Sequence, residues 1–356
     1  MENKLIFFIP PEAFKSGNDI ISSKFIDQLN SREIKAISIT LWPNNLAKRY
    51  FDSFLPRRIE FKIIKYLLYR KIMNSHAKKI NKGDIAWIWP NAVLTDEAGY
   101  FERKITDRGG KVVFHFMDDW FSINLGNKLI NRSKYVKFFV VPTEHLQARV
   151  KQFIPKSQIE VLTEAVDISR VYPPVGKNYS EPFNIVWTGS SHNFYKIHQK
   201  IEKIINQVND VLAIKFILIS GEKAPRYFNP SFPWNWYPYD YKLENIFLSG
   251  CHLGLSILEN NSIYEQCKGN YKVKTYLAAG LPVVASDFGY NRVLIQNAFN
   301  GYLVNNNETD WSRVIIHLFN NIELLKRLST NARRSAIDNF SYTAIELEWH
   351  KFIQSI

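Results

Sequence analysis

Two short stretches of this chain gather residues that could hold an anion or move a proton. The first is FNIVWTGSSHNFYK, residues 183–196, where an apolar run passes directly into Thr188-Gly189-Ser190-Ser191. At the C-terminal end of a strand, Gly189, Ser190 and Ser191 would present backbone N–H groups and hydroxyls able to hold phosphate oxygens, helped by the next helix N-terminus. The alternative is a plain strand-to-helix turn. Neither GxGxxG nor GxxxxGK[ST] occurs, so there is no dinucleotide fingerprint and no P-loop. The second stretch is KVVFHFMDDWFS, residues 111–122, in which Asp118 and Asp119 follow an apolar run with aromatics on both sides. Adjacent carboxylates at a strand end can hold a hydroxyl or accept its proton. The competing reading makes Asp119 a helix N-cap and Asp118 the partner of a nearby lysine. His115 lies inside the apolar run and reads as a packed histidine.

Both stretches need strands to carry them, and the chain supplies an alternation of strand-like and helix-like segments. Leu5–Ile9, Ala36–Leu41, Ile85–Trp89, Val112–Met117 and Phe138–Val141 read as short apolar strands, with a helix over about Ile20–Asn30. Composition turns to linker around Tyr172-Pro173-Pro174-Val175-Gly176, and the pattern then restarts. Asn184–Thr188, Lys215–Ser220 and Leu253–Ile257 read as strands and Ile197–Val211 as a helix. In NYKVKTYLAAGLPVVASDFGYN, residues 270–291, Gly280 and Pro282 end a helix and Val283–Ala285 suit a strand buried on both faces. Such alternation predicts an α/β chain of two doubly wound parallel sheets. The boundaries predicted are 1–170 for the first domain, 171–182 for a linker, 183–340 for the second domain, and 341–356 for a helix packing back on the first. PWNWYPYDY, residues 233–241, reads as irregular, either stacking on a base or packing on the second core.

Bulk properties exclude several classes. With no run of 18 apolar residues, no membrane-spanning helix is expected, and LIFFI before Pro10 is too short for a signal-peptide core. Cys251 and Cys267 make neither a disulfide framework nor a metal cluster, and a cytoplasmic location is expected. The chain has 46 basic and 33 acidic residues, a net charge of +13, distributed unevenly. Arg57, Arg58, Lys62, Lys65, Arg70, Lys71, Lys78, Lys79 and Lys82 face Glu60 alone within 26 residues, alongside Phe61, Ile64, Leu68 and Ile72 at helical spacing. A basic amphipathic helix suits the inner face of an anionic membrane; a packed helix with a solvated basic face is the alternative. No nucleic-acid recognition motif accompanies the charge, which argues against a nucleic-acid partner.

KVKTYLAAGLPVVASDFG resembles the K-x-x-E-Y-x-A-x-G-x-P-V-V-A-S-D signature of bacterial group 1 glycosyltransferases, whose fold, GT-B, is two Rossmann-like domains facing each other across a cleft. FVVPTEHLQARVKQF followed by IEVLTEAVDISRVYPP is similar to the end of that family's first domain, with only Val166-Asp167 kept from its V-x-P-N-G-V-D turn. NGYLV at 300–304 and the tail NARRSAIDNFSYTAIELEWHKF match in style.

The resemblance implies transfer of a sugar from a nucleotide-activated donor to a cell-surface polysaccharide (lipopolysaccharide or capsule) or a lipid-linked glycan, with retained configuration. No cofactor is implied beyond the nucleotide-sugar substrate. The Asp-x-Asp of metal-dependent transferases with a single nucleotide-binding domain is absent, so a metal is not expected. Lys272 takes the motif's lysine position and Lys268 precedes it by four residues. On this resemblance they would neutralise the leaving diphosphate, with Gly189, Ser190 and Ser191 on the facing turn. Lys274 is expected to face solvent. The acceptor side would involve Gly17, with Asp118 or Asp119 on a hydroxyl and Trp120 and Phe121 stacked on a sugar face. The family's ribose-binding glutamate, five residues before the motif glycine, is Thr275 here, and a second glutamate eight residues earlier is Cys267. A threonine can take one hydroxyl but not two with charge assistance, so the role shifts to a residue such as Glu259 or Glu265, or the nucleotide differs. A sugar-nucleotide epimerase of the same fold and a catalytically silent membrane-associated scaffold are the alternatives.

Overall fold

The structure, a computed structural model, describes residues 4–9, 23–41, 59–89, 98–259, 261–305 and 307–356, with 23–24 and 59–65 as backbone only. The chain forms two compact units, Met1–Thr163 together with Leu347–Ile356, and Glu164–Glu346.

Strands of the first unit are β1 (Leu5–Ile9), β2 (Ala36–Thr40), β3 (Ile85–Ile88), β4 (Lys111–His115), β5 (Phe138–Val141) and β6 (Gln158–Val161). They form one sheet in the order β2-β1-β3-β4-β5-β6, with every pair parallel. Parallel neighbours need crossover connections, supplied here by α1 (Ser23–Ser31), α2 (Ile59–Ala77), α3 (Tyr100–Thr106), α4 (Gly126–Ser133) and α5 (Glu144–Phe153). Helices flanking the sheet explain why adjacent residues such as Phe7 and Phe8, which point to opposite faces, are both fully buried.

In the second unit the strands are β7 (Phe183–Gly189), β8 (Ile214–Ser220), β9 (Trp234–Pro238), β10 (Leu253–Ser256), β11 (Val283–Ser286) and β12 (Gly301–Val304), again all parallel, in the order β12-β11-β10-β7-β8-β9. Its helices are α6 (Ser191–Asn209), α7 (Glu244–Ser249), α8 (Ile263–Gln266), α9 (Tyr271–Ala278), α10 (Asn291–Leu294), α11 (Glu308–Phe319) and α12 (Ile322–Phe340). The closing helix, α13 (Tyr342–Ser355), ends in the first unit. There the Trp349 ring stacks 5.3 Å from Trp87 and its Nε1 donates to the Thr163 carbonyl at 3.0 Å.

Residues 164–182 pack with the second unit. Val166 N–H donates to the Phe340 carbonyl at 2.8 Å, and Arg333 donates to the carbonyls of Val171 and Ile168 at 2.8 and 2.9 Å. The stop at Gly280 is a Schellman turn. With Gly280 at φ +65°, its N–H donates to the Leu277 carbonyl and Leu281 N–H to the Tyr276 carbonyl. The stretch 234–238, expected to be irregular, is instead an edge strand: Pro238 ends it, and edge strands tolerate a missing donor.

In both sheets the connection order reverses beside one strand, at β1/β3 and at β7/β10. Ligands of open parallel sheets bind outside the carboxyl ends of the strands at such a point.

Candidate functional site

At the second reversal point β7 and β10 pair only through Leu253↔Ile185 and Gly254↔Val186. Beyond that the strands part, because the Thr188 N–H donates to the Tyr276 hydroxyl of α9 at 2.7 Å. The Tyr276 ring needs room there, and a Cβ on Gly254 would lie 2.5 Å from its Cδ2. The phenol is fully buried, and burial pushes its pKa well above the ordinary value, so it stays a neutral partner. Four segments end around the gap: the β7 terminus with the start of α6, the α8 segment, the α9 N-terminus, and the loop after β11.

Ser190 caps α6, its hydroxyl accepting from Asn193 N–H at 3.1 Å. Gly189, immediately before it, lies against the Trp187 indole: a Cβ here would meet Cη2 at 2.6 Å and the Lys272 Nζ at 3.3 Å. Gly189→Ala is therefore expected to cost about 1–3 kcal/mol through overpacking. A lowered urea midpoint with an unchanged slope would register it. Ser191 places its hydroxyl against Gly221, where a Cβ would lie 2.7 Å from Oγ.

The α9 N-terminus is set by a buried asparagine pair. Asn270, at φ +48°, donates to Asn291 Oδ1 at 3.0 Å, and Asn291 donates to the carbonyls of Ser256 and Ser286. This lattice joins β10, β11, α9 and α10. Gly289, at φ +56°, brings the loop after β11 against Glu265 and Gln266: a Cβ would lie 3.3 Å from Gln266 Cα.

Two of the expected lysines meet at this gap. The Lys272 Nζ lies 4.2 Å from the centroid of the Trp187 ring. Its pKa falls to about 7, first because the amine is stripped of water, then because Lys268 repels a second positive charge; Glu265 offsets this in part. Lys268 bonds Glu265 Oε1 at 2.6 Å and lies 4.7 Å from the Tyr264 ring centroid. Lys196 approaches the same ring from α6, at 5.7 Å. What assembles is a cationic cluster of Lys272, Lys268 and Lys196 with one carboxylate, Glu265, near the N-terminus of α6.

Other candidates fall differently. The Thr275 hydroxyl donates back to the Tyr271 carbonyl at 3.2 Å and is buried, as is Cys267 beside the site. Lys274, expected to face solvent, is fully buried: it donates to the Glu164 carbonyl at 3.2 Å and pairs with its carboxylate at 3.8 Å. From Val273 to Ala278 its helix is buried, packed on strands and on α12, so Lys274 has no solvent to face. Glu259 is exposed.

In the first unit Asp119 is buried; its carboxylate accepts from Phe121 N–H at 3.0 Å and from the Ser122 hydroxyl, and pairs with Arg149 at 3.2 Å. It fastens the turn after β4 rather than opening onto a ligand. Asp118, the neighbour, is half-buried. Trp120, expected to stack on a sugar, is 5% exposed and packs against Phe116, so no open ring face remains. His115 is buried among Trp87, Trp89 and Trp349. Gly17, Arg57 and Arg58 lie outside the described residues, and Lys62 and Lys65 lie in the backbone-only part of α2. Farther along α2 the buried residues are Tyr69, Met73 and Ala77, one step on from the apolar stripe read in the sequence, while Tyr66 and Leu67 are exposed. Arg70 lies over the Tyr100 ring at 4.2 Å. No helix among the described residues is long and apolar enough to cross a membrane.

Two sheets of this topology, each flanked by helices, make this a chain of the GT-B fold. Residues 275–335, from within α9 to within α12, match the family model described as "Glycosyl transferases group 1". The Anabaena protein Alr3699/HepE, solved in complex with UDP and glucose, superposes with a TM-score of 0.69 at 12% identity, covering 100% of each chain. Sucrose-phosphate synthase from Thermosynechococcus elongatus gives 0.67 at 12% identity over 99% of each chain. The pneumococcal O-GlcNAc transferase GtfA, in complex with UDP and GlcNAc, gives 0.61 at 15% identity; the match covers 80% of this chain and 59% of that one. At these identities the shared property is the fold. No curated protein sequence matches the chain.

Proposed function

We propose that this protein is a glycosyltransferase that moves a sugar from a nucleoside-diphosphate donor to a glycan or lipid-linked acceptor. The observation that carries this reading is the pairing of Lys272 and Lys268 beside the Gly189-Ser190-Ser191 turn, at the sheet's reversal point and within reach of the α6 N-terminus. Cleavage of the anomeric bond leaves growing negative charge on a diphosphate while the sugar becomes oxocarbenium-like, as in glycoside hydrolysis. Lysines and helix N–H groups fixed in advance stabilise that charge without reorganisation, and no metal is needed for it. UDP in Alr3699/HepE and in GtfA supports a uridine nucleotide as the first to try. Glu265, the carboxylate beside the lysines, takes the ribose-binding role for which Thr275 has no free hydroxyl. On the acceptor side Asp118 contacts the hydroxyl, held by the turn that Asp119 anchors. Retention of configuration belongs to this reading through the family likeness.

The protein works at the inner face of the cell membrane. Exposed Tyr66 and Leu67 on α2, among the basic residues from Arg57 to Lys82, support docking to anionic lipid. The test is titration calorimetry with UDP, GDP, ADP and CMP, with and without EDTA, alongside vesicles with and without phosphatidylserine. Micromolar binding of one nucleotide that survives EDTA supports the donor site. Vesicle binding with no nucleotide bound would instead favour a membrane-associated scaffold.

A further inference from the structure

Residues 172–182, YPPVGKNYSEP, form neither helix nor strand: three prolines remove backbone donors, and Gly176 sits at φ +68°. They make a strap leading into β7 with few holds. Val175 is fully exposed, a Cβ on Gly176 would meet nothing within 4 Å, and Asn178 and Ser180 bond each other. Tyr179 packs on the second unit's core. Among the described residues, one hydrogen bond ties 173–182 to the sheet, between the His252 ring and the Asn178 carbonyl at 2.8 Å. His252 is 5% exposed and directly precedes β10, at the opposite end of the sheet from the donor gap. Its Nδ1 accepts from the Asn184 N–H at 2.8 Å, so Nε2 carries the ring's proton and donates it to Asn178. The His252 N–H donates in turn to the Asn184 carbonyl at 2.8 Å, which fixes the ring's base. Both ring nitrogens are thus spoken for in the neutral form. A second proton would sit on Nδ1 and point at the Asn184 N–H, donor against donor.

We propose that His252 is a pH-sensitive clasp, which fastens the strap to the sheet while the ring is neutral and releases it on protonation. The ring takes its second proton from solvent only by leaving the Asn184 N–H, and the Asn178 bond is given up or carried out with it. The titratable groups around the ring are Lys177 and Tyr179 from the strap and Cys251 beside it in the chain; β7 contributes Asn184 and Phe183, which do not titrate. Lys177, itself lowered to about 8 by burial, is positive over the acid range and repels a charge on the ring. Burial lowers the His252 pKa from the ordinary 6.5, the Asn178 carbonyl restores part of it, and Lys177 lowers it again. A base whose pKa is depressed in place holds fully above its free value and loses its hold as the pH falls below it. The window therefore opens downward from about pH 6.5, clear of Lys177's own titration.

NMR of the isotope-labelled full chain between pH 7.5 and 5.5 tests this. The His252 ring is identified by its contact with the Asn184 amide proton. Its nitrogen shifts should show Nε2 protonated and Nδ1 bare at pH 7.5, with a titration midpoint below 6.5. Exchange of the Asn184 amide, corrected for the intrinsic rate, should quicken by up to about fivefold from pH 6.5 to 5.5 as opening becomes linked to protonation. The amides of 177–181 should gain mobility over the same range. In His252→Asn the side-chain oxygen can accept from the Asn184 N–H and does not titrate. There the Asn184 exchange should be level with pH, and the strap amides mobile throughout. A proton on Nδ1 at pH 7.5, or a midpoint at or above 6.5, overturns the proposal. So does Asn184 exchange that stays level in the parent or rises equally in the variant. Should His252→Asn not fold, the ring shifts and the Asn184 exchange of the parent decide by themselves. None of these readouts involves a nucleotide, so the clasp stands or falls apart from the donor site.

Discussion

Lys272→Ala is expected to weaken UDP binding by about ten- to a hundredfold while leaving the fold intact. The substitution removes a charge-assisted contact to an anion, and one such bond contributes about 1.5–3 kcal/mol. Its neighbour Lys268 is already committed to Glu265 and cannot move over without unpairing a carboxylate that is 6% exposed. Turnover should suffer more than binding, because charge on the leaving diphosphate is greater in the transition state than in the bound donor. Loss of a single preorganised donor of this kind costs about 10²–10³ in kcat. Stability should change little or improve, since burial and Lys268 disfavour the charged amine in the free protein more than Glu265 favours it. Calorimetry with UDP and thermal unfolding of the same preparation check both halves. Unaltered UDP binding in the alanine variant would remove Lys272 from the site.

Two residues along the same helix, the expected result reverses. Lys274→Met should leave the donor pocket's chemistry in place but destabilise the second unit by about 3–5 kcal/mol. Lys274 and Glu164 are 0% and 1% exposed, and the amine reaches both the carbonyl and the carboxylate of Glu164. Burial pulls the lysine's pKa below its ordinary value, while the Glu164 charge and hydrogen bond pull it back up. Methionine keeps the length of the side chain yet removes the positive charge 3.8 Å from the buried Glu164 carboxylate, whose ionisation then opposes folding more strongly. The sign of the pH dependence follows. In Lys274→Met, Glu164 is easier to bury when protonated, so the loss of stability should lessen as the pH is lowered toward the carboxylate range. Adding Glu164→Gln to Lys274→Met should recover most of it. Urea denaturation of the single and double variants across pH 5–8 measures both effects; a double variant no more stable than the single would show that the pair's charge is not what matters.

Two lysines two residues apart on one helix thus stand in unlike surroundings. Lys272 was marked by its place in the glycosyltransferase signature, as were the Gly280 turn and the buried β11 strand. These are local matters: a left-handed glycine, a proline stop and an apolar run act within a few residues of chain. The alternation of strands and helices was legible for the same reason, because the period of hydrophobicity is a property of each segment alone. Edge strands β6 and β9 were missed, since burial on fewer faces and tolerated prolines blur that period.

What tertiary structure decided was the environment of each polar group. Lys274 looked like a surface lysine because nothing in its neighbours in sequence announces Glu164, 110 positions away. Asp119 looked free to meet a substrate until Arg149, from α5, was brought to its carboxylate. Trp187 belongs to the strand read over Asn184–Thr188, and only the approach of α9 to β7 puts it under the Lys272 amine. The amino-acid sequence by itself determined the central strands, the two parallel sheets they build and the signature around Lys272 and Gly280. Desolvation and charge pairing depend on contacts between residues distant in the chain, and those the folded structure alone decides.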